Sequence, residues 1–155
     1  MLIIGFDPGS ISFGVGILRR EKRRIDYVHS EEIKLKGGEF FPKMQVLWEK
    51  LGCLYQEFAV TAAAMEEGFL GENVRSMSLL SMVRGVTMAS LIVNRTPLRM
   101  YAPREAKLAL TGYGNASKSQ VKRMVERLLD IGGRDLGSDE SDALAVAYCH
   151  AMKMK

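Results

Sequence analysis

Residues 2–7, LIIGFD, form an apolar run that ends on a carboxylate, and Pro8-Gly9-Ser10 follows at once. Such a run predicts a buried strand closed by a turn. Phe13 to Leu18 predicts a second strand, with Gly14 and Gly16 inside it, and Ile25 to Ile33 a third. The basic run Arg19-Arg20-Glu21-Lys22-Arg23-Arg24 between them suits a hairpin tip. Three strands joined by short turns predict an antiparallel meander. The pattern then changes. Leu47, Leu51, Leu54 and Phe58 recur at helical spacing, which predicts a helix over Pro42 to Phe58, with Pro42 in its first turn. Ala62 to Glu66 predicts a fourth strand and Pro97 to Tyr101 a fifth, with a long helix, Val74 to Val93, between them. That helix is apolar on most of its circumference, so it is expected to be buried on both sides, one of them a candidate subunit interface. Ser117-Lys118-Ser119-Gln120 has the form of a capping box and opens another helix, expected to end at Gly132-Gly133. A final helix runs from Ser138 to about Met152. The order βββ-α-β-α-β-α-α predicts an α/β fold: a mixed five-stranded sheet, three strands antiparallel and two parallel, flanked by helices.

The chain has 155 residues, 47% hydrophobic and 26% charged, which suits one globular domain over 1–155. No segment is expected to span a bilayer. The opening residues lack the basic and apolar regions of a signal peptide. Cys53 and Cys149 stand apart and fit reduced core thiols, so a cytoplasmic protein is expected. His29 and His150 suggest no zinc site.

Four carboxylates stand out by position. Asp7 and Glu66 close apolar strands, and Asp139 and Asp142 share one face of the last helix's first turn. Gathered at one sheet edge they would repel one another without a counterion. Oxygen ligands of this kind suit Mg²⁺ or Mn²⁺, and a pair of such ions serves phosphodiester hydrolysis. Each acid also has a plainer reading: Asp139 and Asp142 as complements to the helix dipole, Asp7 as a turn residue, Glu66 or Glu67 as a surface loop acid. Successive strand residues face opposite ways, so only one of Glu66 and Glu67 joins Asp7, and the pattern does not say which.

Asp7-Pro8-Gly9-Ser10 with the glycine-rich second strand, then Ala64-Met65-Glu66-Glu67-Gly68-Phe69, resemble the first two motifs of the RuvC family of Holliday-junction resolvases. The resemblance continues through Asn73-Val74-Arg75-Ser76, Arg84-Gly85, Gly112 to Val121, and Asp139-Glu140-Ser141-Asp142-Ala143-Leu144-Ala145. It implies an RNase H-like nuclease that acts as a homodimer, nicking two opposed strands of a four-way DNA junction with two Mg²⁺ or Mn²⁺ ions per site. It also implies that Asp7, Glu66, Asp139 and Asp142 bind the metal and are catalytic, with Asp7 bridging both ions, and that Glu66 rather than Glu67 is in the site. By the same resemblance Phe69 contacts junction bases, Lys107 and Lys118 approach the scissile phosphate, Lys118 or Lys107 stabilises charge there, and Arg75 touches DNA. The helix around Arg84-Gly85 is implied at the dimer interface. Glu57 to Thr61 departs from the Pro-Asp pair often found before the family's fourth strand, which points to a divergent or phage-borne member.

From Arg99 to Arg127 seven basic residues stand against Glu105 and Glu126, a local excess above the whole chain's +4. Cations beside an acidic edge suit a nuclease, with Lys122 and Arg123 as further expected phosphate contacts. A solvated helix face is the plainer reading for those two and for Arg127. Three rivals remain. An actin-like phosphate loop at Asp7 to Ser10 lacks a second loop and lobe. A non-catalytic junction-binding dimer leaves the intact acids unexplained. A related nuclease on RNA or another branched nucleic acid differs only in substrate.

Overall fold

The computed structural model describes residues 1–68, 74–131 and 133–154, without the side chains of residues 74 and 75. Phe69 therefore lies outside the described residues, as does the Arg75 side chain. Five strands form one sheet: β1 (Leu2–Pro8), β2 (Ser12–Glu21), β3 (Arg24–Lys34), β4 (Val60–Glu66) and β5 (Leu98–Tyr101), in the order β3-β2-β1-β4-β5. The first three are antiparallel neighbours, and β4 runs parallel to β1 and β5. The β2–β3 hairpin turns at Lys22-Arg23, as the basic run suggested.

Alternation along the strands divides the core into two layers. Ile4, Phe6, Ala63 and Met65 face one way, into a cluster with Leu47, Leu51 and Leu54 of α1 (Phe40–Glu57) and Leu79, Val83 and Leu91 of α2 (Val74–Val93). Ile3 and Ala62 face the other way, against Val121, Val125 and Leu129 of α4 (Lys118–Leu129) and Leu144, Ala145, Ala147 and Ala151 of α5 (Ser138–Lys153). Ala64 shares that second face with Val146 and Cys149. The result is a three-layer helix–sheet–helix sandwich.

Several expectations are corrected. A helix between β5 and α4, α3 (Pro103–Thr111), was not expected. Its local signal is Pro103 at the first position, with the Glu105 carboxylate accepting from the Ala102 N–H at 3.0 Å. α4 ends at Leu129, before the two glycines, because Asp130 takes the left-handed conformation (φ 46°) and caps it. Cys149 is buried, and burial pushes its thiol up to about 11, but Cys53 is exposed and no core thiol. The window Ser76–Val93 is, by length and composition, apolar enough to cross a bilayer, at a mean hydropathy of 1.5. In the single chain one side of α2 is open. Leu79, Val83 and Leu91 enter the core, while Met82, Ile92 and Val93 are 43%, 76% and 68% exposed.

The capping box at α4 forms as expected: Ser117 Oγ accepts from the Gln120 N–H, and the Gln120 side chain accepts from the Ser117 N–H at 2.8 Å. Ser117→Ala should cost about 1 kcal/mol, read as a shift in the urea midpoint at unchanged slope. This cap sets where Lys118 begins its helix.

Candidate active site

The site is built at the carboxyl ends of β1 and β4. These strands are parallel neighbours with Phe6 opposite Met65, so Asp7 and Glu66 stand side by side at one sheet edge. Ile3 and Ala62 fix the alternation, placing both carboxylates on the α5 face. Glu67, one residue on, is exposed.

Asp7 also pairs with Gly14 across β2, and α5 crosses the sheet there. A Cβ on Gly14 would lie 2.0 Å from the Asp139 carbonyl oxygen, so the helix start rests directly on backbone. A Cβ on Gly5 would lie 2.1 Å from the Ala143 carbonyl oxygen, one turn further along. This close approach brings the first turn of α5 over the edge. Ser12 Oγ donates a short hydrogen bond to Asp139 Oδ2, and Lys118 Nζ donates to Asp142 Oδ2 at 3.0 Å.

The four acids are coupled by charge. Burial, then the negative charges of Asp142, Glu66 and Asp139, raise the Asp7 carboxyl to about 7. Burial and Asp142 also raise Glu66, against the opposing charges of Lys118, Lys107 and Arg84. The hydrogen bond to Asp142 holds Lys118 above its ordinary value, so it stays protonated. Among the described residues, no three His, Cys, Asp or Glu side chains close into a cage around a common point. The acids are close enough to couple by charge, which suits a cation sharing its coordination with waters and a phosphate.

The expected cations divide. Lys107 and Lys118 lie within electrostatic reach of Glu66. Lys122 instead turns to acids of its own side, Asp135 at 2.5 Å and Glu126 at 4.0 Å. Arg123 is exposed beside a surface pocket lined by Thr111, Tyr113 and Gln120. His150 joins none of the acids; its Nδ1 lies 2.7 Å from the Tyr101 hydroxyl.

Arg84 was not expected at the site. It reaches from α2 and donates from Nη2 to the Glu66 carbonyl oxygen at 2.5 Å, with the charges of Glu66, Asp7 and Glu67 nearby. Its signal in the sequence is a cation set within the apolar run of α2, beyond Arg75 in the first turn. Arg84→Met should lower the site's hydrolytic rate about tenfold or more, and Arg84→Lys should restore little, because an ammonium cannot reproduce the guanidinium's reach and fork. The readout is the single-turnover rate.

Fold and site together define an RNase H-like fold with an acidic sheet edge flanked by lysines. The family model described as "Crossover junction endodeoxyribonuclease RuvC" matches residues 3–150. Crossover junction endodeoxyribonuclease RuvC of Ralstonia pickettii is 38% identical over 152 residues, covering 97% of this chain and 83% of that protein. The Christiangramia forsetii protein of the same name is 35% identical over 150 residues, covering 96% and 78%. The solved structure of Thermus thermophilus RuvC in complex with Holliday junction substrate superposes at a TM-score of 0.90, with 25% identity, over 97% of this chain and 93% of that one. The chain belongs to the RuvC family.

Proposed function

We propose that this chain is a structure-specific endonuclease that resolves four-way DNA junctions. The carrying observation is the charge-coupled set Asp7, Glu66, Asp139 and Asp142 at one sheet edge, with Lys118 and Lys107 beside it. A similar structure, that of the Thermus thermophilus protein, is described in complex with Holliday junction substrate.

The donor set fits divalent metal. An Asp7 carboxyl raised to about 7 by burial and then by its neighbours' negative charge marks a place where positive charge is wanted. In our reading Asp7, Glu66, Asp139 and Asp142 hold two Mg²⁺ or Mn²⁺ ions. When bound, such ions supply an activated water and stabilise the departing oxygen in phosphodiester hydrolysis. The protein's own contribution is placement. Asp7 and Glu66 are held by paired strands, and Asp139 by Ser12. Lys118 exchanges its Asp142 bond for a phosphate oxygen as substrate enters, and Lys107 meets the flanking backbone. Arg84 keeps the end of β4 in place.

Two such sites suit two opposed cuts, so we read the working form as a homodimer. The exposed residues Met82, Ile92 and Val93 of α2 support that helix as the interface. We take residues 1–155 as one nuclease domain, acting on DNA in the cytoplasm. Phe69, Arg75 and Arg123 are proposed DNA contacts; Lys122, already paired with Asp135, is a weaker one.

The test is to incubate the protein with an end-labelled synthetic four-way junction, with and without Mg²⁺, and map the products. Paired symmetric nicks that need metal, with linear duplex uncut, are expected. Cutting of RNA hybrids in preference to junctions, or tight binding without cutting in Mg²⁺ and Mn²⁺, would overturn the reading.

A further inference from the structure

Glu140 stands between Asp139 and Asp142 in the first turn of α5, yet it points elsewhere and is buried, at 7% exposure. At about 100° per residue it lies roughly 100° around the helix from Asp139 and roughly 160° from Asp142. Its Oε1 accepts from Ser30 Oγ of β3 at 2.9 Å and from Arg134 Nη2 at 2.5 Å. Its Oε2 accepts from the Gly137 N–H at 2.9 Å. Arg134 extends the network, donating from Nη1 to the Tyr27 hydroxyl at 2.9 Å and from Nη2 to the Ser30 carbonyl at 3.2 Å. Tyr27 and Ser30 hydroxyls close the ring at 3.2 Å. A buried carboxylate is thus tied to one strand, one loop and its own helix start, with a guanidinium as counter-charge.

We infer that Glu140 and Arg134 are positioning residues: they lock the rotation of α5 about its axis, and thereby the placement of Asp139 and Asp142 against Asp7. Beneath the first turn of α5, Gly14 offers bare backbone and no side-chain ridge to fix the rotation of that turn. Gly14 gives close approach, and the Glu140 network supplies the grip beside it, on β3 and the loop that leads into α5. Rotation that moved Asp142 from Lys118 would have to break several charge-assisted bonds at Glu140. The inference deepens the proposed function, since it rests on Asp139 and Asp142 as cation ligands.

The test compares wild type, Arg134→Met and Tyr27→Phe. Tyr27→Phe removes one hydroxyl and leaves the Glu140–Arg134 pair, so it guards against a variant that fails to fold. Each protein is melted with increasing MgCl₂ and no DNA, and junction affinity is measured in EDTA. For Arg134→Met, the Mg²⁺ concentration that half-saturates the melting shift should rise about tenfold. Tyr27→Phe should move it the same way by less, and junction affinity should stay within about twofold for both. An unchanged Mg²⁺ midpoint in a less stable Arg134→Met would make the network merely structural and overturn the inference. Weaker junction binding instead would make Arg134 a DNA contact, also overturning it. If wild type shows no Mg²⁺-dependent shift at all, the metal reading itself fails, a separate outcome.

Discussion

Asp7→Asn should reduce nicking of a four-way junction by about a thousandfold or more while leaving junction binding within about twofold. Asn keeps the shape and one acceptor oxygen but loses the charge that draws cations between the four acids. The same variant should be more stable than wild type in metal-free buffer, and the pH dependence gives the sign. Folding raises the Asp7 carboxyl from 3.8 to about 7, and raises Glu66 as well. Between those limits the native state holds a proton that the unfolded chain has released. The contribution to stability is therefore full near pH 4, falls as pH rises toward 7, and is flat above. Asn lacks this loss, so at pH 8 it should exceed wild type by roughly 2–4 kcal/mol, and near pH 4 the two should converge. Saturating Mg²⁺ should reverse the order at pH 8. Chemical denaturation at the two pH values, with and without Mg²⁺, reads all three comparisons.

Gly14→Ala should be severe for a different reason. Its new Cβ would lie 2.0 Å from the Asp139 carbonyl oxygen and 3.1 Å from the Asp139 Cβ, and backbone cannot swing aside as a flexible side chain can. Either α5 lifts from β2 or the strand bends. We expect a loss of about 3 kcal/mol or more, at the upper end for overpacking a dense interior. We also expect nicking to be lost in the fraction that remains folded, because the displaced residue is Asp139. A control at Gly52, inside α1, where an added Cβ meets nothing within 4 Å, should stabilise by about 0.5–1 kcal/mol through helix propensity and leave activity unchanged. Thermal melts and nicking rates normalised to folded protein make the comparison.

These two positions also mark what can be read from residues alone. Asp7 announces itself because an apolar strand that ends on an acid is a local pattern. The mixed sheet followed from the same kind of signal, a meander and then alternating helices and strands. Choosing Glu66 over Glu67 needed more. The two differ only in which strand face they occupy, and that is fixed by the packing of Ile3 and Ala62 against α5, not by nearby sequence. Arg84 meets Glu66 across 18 positions of chain, and Ser12 meets Asp139 across 127, so neither contact leaves a periodic trace. The short helix α3 was missed because its Pro103 and Glu105 are ordinary loop residues until the helix cap forms. α2 needs a partner to be read. Apolar character all round suggested burial on both sides, but one side is open in the single chain, where the proposed homodimer would cover it.

The most direct test of the central claim, that the four acids form one divalent-metal site, is anomalous diffraction from crystals soaked in Mn²⁺. The account predicts Mn²⁺ density among the carboxylates of Asp7, Glu66, Asp139 and Asp142, lost in Asp7→Asn crystals treated identically. Mn²⁺ seated away from these acids, or bound equally well in the Asp7→Asn protein, would contradict it.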